Sequence, residues 1–508
     1  MNMATPNQTL ATDVSSGEPT KEGFVRRLRL LDATTLVIGT MIGSGIFIVS
    51  ADIARIVKSP GLMLIVWIIA GVMTVISALS YAELSAAMPR AGGQYVYLRE
   101  AFGQLVAFLY GWAFFLVMST GIIAAVAIAF AKFLGVFLPS VSATNVLLKL
   151  GPVGISTQQC VAMSVIAFLT FVNCRGVKHG AFVQNVFTFL KTIAVVALLV
   201  AGFAIGRNPQ IAHANFSQMF ASLPAGGFNL LTIIGTAMVG SLFAMDAWAF
   251  VCCTAAEVQE PRKNLPRALL FGTGFVALLY LLVNISYLNV LPFFGDPAGA
   301  DIVSRGIQYA SEDRVATAVS QMMLGHAGLF FIAAAIMIST FGCVNGNVLM
   351  CARLYYAMAK DGLFFQSVGR INSKTHVPTT ALVLGGIWAS LLTLSGSYSE
   401  LLDYVIFVTI VFYSLTIAGV FVLRKKRPDM IRPYKAWGYP LLPAIYIVLA
   451  MSIAIDLLIY KPAYTWPGLI IVLTGVPVYY IWKWRSNPRT ADDTAPAIVE
   501  PLSPELEV

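Results

Sequence analysis

Long apolar runs separated by short polar segments dominate this chain of 508 residues. A helix needs at least about 17 mostly apolar residues to cross a hydrocarbon layer of about 30 Å. Runs of that length begin near residues 33, 61, 98, 158, 180, 227, 266, 326, 379, 401, 439 and 464. The pattern predicts an all-α polytopic membrane protein with twelve transmembrane helices, because a helix satisfies its own backbone groups in lipid.

Composition and charge agree with this class. The chain is 58% hydrophobic and 11% charged, with a mean hydropathy of +0.79, unlike a soluble domain. The net charge of +9 does not indicate a nucleic-acid partner, because most of the 33 Lys and Arg residues fall in alternate loops, on one side of the predicted bilayer. This asymmetry predicts a multi-pass protein of the cell (plasma or inner) membrane with both termini in the cytoplasm.

The order of the spans predicts five regions. The polar segments 1–28 and 485–508 are predicted to be disordered cytoplasmic tails, since they have too little apolar content to fold alone. Residues 29–206 and 227–424 are predicted to form two five-helix repeats. Because five is an odd number, the second repeat is inverted in the membrane relative to the first. Residues 435–484 hold two extra helices, the eleventh and twelfth.

Two of the apolar runs carry an interruption. Gly43, Ser44 and Gly45 interrupt the first, and the stretch from Phe243 to Trp248 interrupts the sixth, at the corresponding point of the second half. Paired broken helices are typical of a transporter's binding site. The alternative is that Gly39 and Gly43 form a small-residue face for helix packing. The second break at the matching position favours the functional interpretation.

Unwound backbone in a membrane exposes both N–H and C=O groups, and a zwitterion can bind both kinds. The start of a half-helix offers N–H groups and a positive dipole end to a carboxylate. Carbonyls at the end of a half-helix can accept from an ammonium, and glycine lets a ligand approach the backbone. The breaks therefore predict an amino acid site. The predicted substrate-binding residues are Met41, Gly43, Ser44, Gly45, Ile46, Phe243, Ala244 and Asp246.

Lys191 is predicted to lie about eleven residues from either end of the fifth span, too deep for its side chain to reach the headgroups easily. Its ammonium therefore needs buried partners. The predicted partners are the backbone at Gly43 and the side chains of Ser339 and Thr340, which would hold the ammonium as they would hold a sodium ion. The alternative is a lysine that lines an aqueous cavity without a coupling role.

Other residues leave alternatives open. Asp246 is a candidate to bind a substrate ammonium or cationic side chain, or to cap the following half-helix. Phe243 is either a core aromatic or a gate over the substrate. The four histidines form no ligand pair, and the six cysteines show no zinc or disulfide spacing. No cofactor, no metal and no enzymatic activity are therefore predicted. A membrane enzyme would need clustered His and acidic residues, and a channel would need a polar-lined span.

Several ordered motifs between about Arg29 and Trp484 resemble the amino acid, polyamine and organocation transporter superfamily, and within it the L-type amino acid transporter branch. They are Gly39 to Phe47, Tyr81 to Leu84 with Pro89 to Tyr95, Val172 to Lys178 leading to Lys191, Phe243 and Ala244 with Trp248, Glu257 to Leu269, and Thr340 to Gly346.

The resemblance implies ten core helices in two inverted repeats plus two more, with Phe243 as a gate and Lys191 in place of sodium. It implies sodium-independent exchange or facilitated movement of neutral L-amino acids. Met245 and Ala247 depart from the family pattern, which has an aromatic residue and a glycine there. In animal relatives a cysteine between spans three and four joins a heavy subunit. The loop from Pro139 to Gln159 has none, so no disulfide-linked heavy subunit is predicted.

The predicted function is sodium-independent transport of neutral L-amino acids by alternating access. The alternative, motivated by Asp246, is an antiporter of cationic amino acids or polyamines, either with or without coupling to protons.

Overall fold

The computed structural model describes residues 24–150, 153–221, 227–394, 398–460 and 462–486. The predicted tails lie outside the described residues up to residue 23 and from residue 487 onward. Nearly all regular structure in these ranges is helical.

In chain order the α-helices are α1 (Leu30–Met41), α2 (Gly45–Val57), α3 (Pro60–Ala87), α4 (Gln94–Phe102), α5 (Gln104–Ala113), α6 (Ser119–Leu134), α7 (Thr157–Cys174), α8 (Val177–Ala204), α9 (Pro209–Ser217), α10 (Gly227–Ala244), α11 (Pro261–Val290), α12 (Ile302–Arg305), α13 (Val315–Leu324), α14 (His326–Lys360), α15 (Thr379–Leu392), α16 (Tyr398–Lys426), α17 (Leu441–Tyr460) and α18 (Pro462–Ser486). A π-helix (Phe114–Met118) joins α5 to α6, and 3-10 helices cover Trp248–Glu257, Ser311–Asp313 and Gln366–Gly369.

The spans follow the predicted pattern. Ten helices of the described ranges are long and apolar enough to cross a membrane, and the bent pair α1 and α2 makes an eleventh candidate. The ninth predicted span is α15, an apolar helix of 14 residues that is shorter than the others. The all-α polytopic class is therefore confirmed, and the predicted count of twelve includes this short helix.

Local chemistry explains where several spans begin. Pro60 and Pro261 occupy the first turns of α3 and α11, where the missing N–H of proline costs nothing. The Ser59 hydroxyl accepts from the Leu62 N–H at 3.4 Å at the start of α3. Ser156 and Gln159 form a capping box at the start of α7. A short antiparallel hairpin, β1 (Val146–Leu150) and β2 (Val153–Ser156), precedes α7.

The helix contacts place corresponding spans of the two predicted halves side by side. The broken first span contacts the sixth, α3 packs on α11, α6 on α14, and α7 on α15. Two inverted repeats around a shared axis would bring corresponding helices together in this way. The division into 29–206 and 227–424 stays a prediction that these contacts favour.

Residues 24–28 differ from the prediction of a disordered tail. The side chains of Phe24, Val25 and Leu28 are buried, and the Phe24 ring lies edge-on to Tyr356 at 5.0 Å. The Leu28 N–H donates to the Glu257 carbonyl at 2.9 Å. These three apolar side chains cover the end of the helical bundle, and sequence polarity averaged over the whole segment concealed them.

We call the end of the bundle at Leu28 the inner end and the opposite end the outer end, following the predicted orientation. The inner end is closed by ion pairs: Arg353 binds Glu257 at 2.9 Å, with both side chains only 1% exposed, and Arg424 binds Glu83 at 2.6 Å. The outer end contains a cavity of about 1070 Å³. The structure is thus closed on one side and hollow on the other.

Candidate functional site

The first span is broken where the sequence places Gly43 and Ser44. Helix α1 ends at Met41, α2 begins at Gly45, and the two are bent by 41°. The first turn of α2 carries the positive end of the helix dipole and directs its backbone N–H groups toward the break. Ser44, Gly45 and Ile46 are all buried there. The break therefore exposes anion-binding backbone deep inside the protein.

The carbonyl side of the first break is held by Lys191, which is fully buried. Its ammonium donates to the carbonyls of Gly39, Ile42 and Ser339, at 2.9 Å for Ile42 and 3.3 Å for Ser339. An ammonium has three N–H donors, and these contacts provide three acceptors. The charged form of the lysine is therefore fully hydrogen-bonded in place.

Two of the predicted lysine partners are corrected by these contacts. The Thr340 hydroxyl donates to the Ile336 carbonyl of its own helix at 2.8 Å, as hydroxyls within helices commonly do. The Gly43 carbonyl accepts from the Ser339 hydroxyl at 3.0 Å rather than from Lys191. Ser339 contacts the ammonium through its carbonyl, whereas a contact through its hydroxyl was predicted from the sequence.

Gly39 and Gly43, which the alternative interpretation assigned to helix packing, have different roles. A Cβ atom on Gly39 would collide with Gln184 and Thr188 of α8, so Gly39 allows close helix packing. A Cβ atom on Gly43 would meet only the Cys343 sulfur, at 3.4 Å. Packing thus explains Gly39, whereas Gly43 lies in the break itself.

The second break separates α10, which ends at Ala244, from the 3-10 helix that begins at Trp248. Ala247 has a φ of 69°, a left-handed conformation that is uncommon for a residue with a Cβ atom. Ala247 also occupies the cap position of the 3-10 helix, so Asp246 lies one residue before it. The strained backbone marks this break as a position that the surrounding structure enforces.

Asp246 is 6% exposed and contacts a residue of the tenth span. The Tyr413 hydroxyl donates to its Oδ1 atom at 2.6 Å. Within the described part of the chain, its Oδ2 atom is buried and has no hydrogen-bond partner. A buried polar atom in this state is costly, so the second break has an unused acceptor.

The two breaks meet. A Cβ atom on Gly45 would lie 2.7 Å from the Ala244 Cβ atom and 2.8 Å from its Cα atom, and the Thr40 hydroxyl contacts the Ala247 carbonyl at 3.4 Å. Between the breaks is a small cavity in which about 20 Å³ is open to the centre of a water molecule, enough for about one water. It is lined by Thr40, Met41, Gly43, Ser44, Gly45, Ile122, Val126, Phe243, Ala244, Asp246, Ala247 and Cys343.

Seven of the eight predicted substrate-binding residues thus line one cavity. The eighth, Ile46, lies just beyond it and its carbonyl accepts from the Tyr287 hydroxyl at 3.3 Å. The Met41 carbonyl accepts from Tyr280 at 3.0 Å, and the Phe243 carbonyl from the Asp246 N–H at 3.0 Å. The Met41 carbonyl also accepts from the Gly43 N–H at 2.9 Å, so a substrate ammonium would share this oxygen with two donors already in place.

Phe243 separates two spaces. It lines both the small cavity and the large outer cavity. The outer cavity also contains charged residues of its rim, including Lys132, Glu312 and Arg314. The Phe243 side chain is therefore part of the wall between the outer cavity and the small cavity.

Sequence reasoning missed the walls contributed by other spans. Ile122 and Val126 of the cavity wall come from α6, and Tyr413, the hydrogen-bond partner of Asp246, comes from α16. Their residue types are ordinary in membrane helices, so no local signal distinguishes them. Cys343 lies inside the motif Thr340 to Gly346, and its thiol contacts the Thr40 carbonyl at 3.2 Å. Within the described ranges, no three His, Cys, Asp or Glu side chains come together to hold a metal ion.

The fold and the paired breaks define a polytopic membrane transporter with broken helices at its centre. A family model described as amino acid permease matches residues 28–479, so the chain belongs to that family. It is a member of the amino acid, polyamine and organocation superfamily, in the L-type branch. It is a transporter and not an enzyme.

Individual relatives cover nearly the whole chain. The chain is similar to large neutral amino acids transporter small subunit 2 of Homo sapiens, with 31% identity over 92% of this chain and 82% of that protein. It is similar to Asc-type amino acid transporter 1 of Mus musculus, with 30% identity over 91% and 82%. It is also similar to b(0,+)-type amino acid transporter 1 of Homo sapiens, with 27% identity over 92% and 90%. Amino acid transport is therefore the activity of this class of proteins.

Proposed function

We propose that the protein transports neutral L-amino acids across the membrane without sodium, by exchange or facilitated movement. The observation that carries this proposal is the Lys191 ammonium on the carbonyls of Gly39, Ile42 and Ser339. Carbonyl oxygens of this kind would otherwise suit a sodium ion. A second cation at the same point would meet a like charge at close range, which is strongly unfavourable away from water.

The substrate's two charged groups bind the two kinds of backbone group. Its carboxylate accepts from the N–H groups of Ser44, Gly45 and Ile46, at the positive end of α2. Its ammonium donates to oxygens of Met41, Phe243, Ala244 and Asp246, and Gly43 leaves room for the contact. Seven of these eight residues line the same cavity, which supports the assignment. The carboxylate and ammonium are common to all amino acids, so contacts with them define the class of substrate. The preference for one side chain over another depends on the other residues that line the cavity.

Alternating access follows from the asymmetry of the two ends. The inner end is closed by buried side chains and the Glu257–Arg353 pair, and the outer cavity reaches Phe243. Phe243 acts as a gate in this proposal: its displacement admits substrate from the outer cavity, and its return isolates the substrate. Opening of the inner end then releases it.

The second candidate function is antiport of cationic amino acids or polyamines. It is favoured by the Asp246 Oδ2 atom, a buried carboxylate oxygen without a partner in the described part of the chain. A positively charged side chain would supply both a donor and a compensating charge.

We further propose that the protein lies in the cell membrane with both termini in the cytoplasm, and that no heavy subunit is attached through a disulfide. The loop between α6 and α7 contains none of the six cysteines. A partner protein that separates from this chain in native membranes only after addition of a reducing agent would contradict the absence of a disulfide-linked subunit.

The test is exchange of labelled alanine and leucine in proteoliposomes, with sodium replaced on both sides by potassium. We expect full exchange without sodium and competition by neutral L-amino acids. A strict sodium requirement would contradict the role of Lys191. Arginine or putrescine competing better than every neutral amino acid would favour the second candidate.

A further inference from the structure

The segment that joins the tenth and eleventh spans concentrates positive charge at the inner end. We call residues 424–441 the basic segment; it begins in the last turn of α16 and ends at the first residue of α17. It contains six basic residues and one acidic residue, Asp429. The basic residues are Arg424, Lys425, Lys426, Arg427, Arg432 and Lys435.

Four of these six side chains bind groups of the protein itself. Their partners are the Glu83 carboxylate for Arg424, the Ala101 carbonyl for Lys426, the Glu100 carboxylate for Arg427 and the Leu423 carbonyl for Arg432. A basic side chain near the end of a helix commonly binds the last carbonyls in this way. These contacts give the basic segment a defined shape against the bundle.

Lys425 and Lys435 are different. Both are exposed, and in the described part of the chain neither ammonium takes part in a hydrogen bond or an ion pair. Each is the chain neighbour of a group that binds Glu83. The Arg424 guanidinium and the Ala436 N–H both donate to the Glu83 Oε2 atom, at 2.6 and 2.7 Å. The two exposed lysines therefore adjoin the same buried carboxylate.

Large apolar side chains are exposed on the same segment. Ile431, Trp437 and Leu441 are 57%, 72% and 66% exposed. Leu441 is the first residue of α17, an apolar helix long enough to cross a membrane. Tryptophan is enriched at the boundary between hydrocarbon and headgroups, because its ring is apolar and its N–H is polar. The basic segment is therefore at the depth of the lipid headgroups.

Other basic positions of the inner end lack this combination. Lys263 and Lys374 are also exposed. Among residues 259–267 and 370–378, all of which the structure describes, no large apolar side chain is exposed. Positive charge alone is common at a cytoplasmic face. Exposed apolar side chains together with unbound ammonium groups distinguish the basic segment from these loops.

We propose that the basic segment is a binding surface for anionic phospholipids of the surrounding membrane. The lipid phosphate accepts hydrogen bonds from the Lys425 and Lys435 ammonium groups, and the negative charge of the leaflet attracts both. The three exposed apolar side chains enter the interface below the headgroups. A zwitterionic lipid also has a phosphate, but its own positive group repels the lysines, so the net charge of the lipid decides the preference.

Lipid bound at this surface stabilises the inner end. The basic segment supplies two of the groups that hold Glu83, a carboxylate that is 2% exposed. A lipid on Lys425 and Lys435 keeps the segment in the conformation that makes these contacts. The inner end is therefore held closed more firmly in a membrane that is rich in anionic lipid.

The first test is native mass spectrometry of the full chain, titrated with phosphatidylglycerol or phosphatidylcholine. The wild type should bind phosphatidylglycerol more tightly. Lys425→Gln combined with Lys435→Gln should bind it about 25-fold more weakly, since each basic residue near an anionic surface contributes about fivefold. Binding of phosphatidylcholine should stay unchanged in the double variant.

The matched control is Lys263→Gln combined with Lys374→Gln, which removes the same charge from the same end of the protein. All four positions are exposed, so both double variants should keep the wild-type melting temperature in phosphatidylcholine. Wild-type affinity of the Lys425 and Lys435 double variant for phosphatidylglycerol, or an equal loss in both double variants, would overturn the proposal.

The second test is hydrogen exchange in nanodiscs made of either lipid. Amides between Asp429 and Tyr439, including that of Ala436, should exchange more slowly in phosphatidylglycerol than in phosphatidylcholine. The difference should persist in the control variant and disappear in the Lys425 and Lys435 double variant. Equal exchange of the wild type in the two lipids would overturn the stabilisation of the inner end.

Glycerol phosphate added to phosphatidylcholine nanodiscs separates a lipid from a free phosphate. Protection equal to that in phosphatidylglycerol would show a site for soluble anions and overturn the lipid assignment, whereas no protection would support it. None of these measurements involves transport. Their failure would therefore leave the proposed function standing.

Discussion

At the first break, side chains from other helices bind the backbone carbonyls: Lys191 and Ser339 donate to the carbonyls of Gly39, Ile42 and Gly43. At the second break, the chain supplies its own charge, and Asp246 keeps one oxygen without a partner in the described structure. Carbonyls held in this way suit a fixed structural role, and the N–H side of the first break is the side proposed for the substrate carboxylate. A break with an open acceptor is suited to a ligand that comes and goes.

The two half-helices that follow the breaks, α2 and the 3-10 helix, also differ in how firmly their far ends are held. Helix α2 is tied near its end by Arg55, which pairs with Asp313 while the two side chains are 29% and 41% exposed. The 3-10 helix of the second break ends at Glu257, which pairs with Arg353 where both are 1% exposed. The outer end of the first break is therefore held loosely by water-exposed charges, and the inner end of the second is held firmly.

The largest expected effect comes from closing the gap between the breaks. Gly45→Leu places side-chain atoms where Ala244 already lies 2.7 Å from the Cβ position, and this fills the substrate cavity. We expect loss of alanine binding, measured as loss of the rise in melting temperature that alanine gives the wild type. The control is Gly274→Leu, where no heavy atom lies within 4 Å of the added Cβ atom. Normal stabilisation of Gly45→Leu by alanine would show that the site lies elsewhere.

Lys191→Ala tests whether the first break needs its cation. Three carbonyls lose the ammonium, although Ile42 keeps the Ser339 hydroxyl at 2.9 Å. A hydrogen bond to a charged group is worth about 1.5–3 kcal/mol, so we expect alanine exchange to fall by about 100-fold while insertion into the membrane is retained. Exchange in proteoliposomes measures the first effect, and size-exclusion chromatography the second.

The matched control for this prediction is Lys132→Ala. Lys132 is 44% exposed and pairs with Glu312 at 2.9 Å, so its removal should change exchange little. Wild-type flux in Lys191→Ala would mean that the carbonyls at the break do not depend on the ammonium.

Glu257→Gln and Asp313→Asn compare the two anchors. Leaving Arg353 buried without its counter-charge should cost about 3–5 kcal/mol of stability. Removing Asp313 from an exposed pair should cost at most about 1 kcal/mol. Thermal unfolding in one detergent, with the two variants side by side, measures the difference. Equal losses in the two variants would show that the ends of the half-helices are held alike.

Tyr413→Phe is the mildest change at the second break. It removes the hydroxyl that donates to Asp246 at 2.6 Å, and a hydrogen bond to a charged group is worth about 1.5–3 kcal/mol. We expect a fall in alanine exchange of roughly tenfold. Tyr479→Phe is the control, since its hydroxyl lies 3.5 Å from Gln104, away from the break. Equal exchange in the two variants would remove Tyr413 from the site.

The length of the apolar runs predicted the class of fold and the approximate positions of the apolar helices. This succeeded because a membrane forces every backbone group of a span to be satisfied within its helix. The first break was predictable for the same reason, since Gly43, Ser44 and Gly45 oppose a continuous helix. The deep position of Lys191 also followed from counting along a single span.

What the sequence by itself determined is the set of elements: the apolar spans, the two interruptions and a lysine that had to find buried partners. Only the tertiary structure decided which groups those partners are, with Thr340 bonded to its own helix and Asp246 facing Tyr413. It also decided that Phe24, Val25 and Leu28 pack into the inner end. These contacts join residues far apart in the chain, and side-chain direction at such contacts depends on how helices pack, which no local pattern encodes.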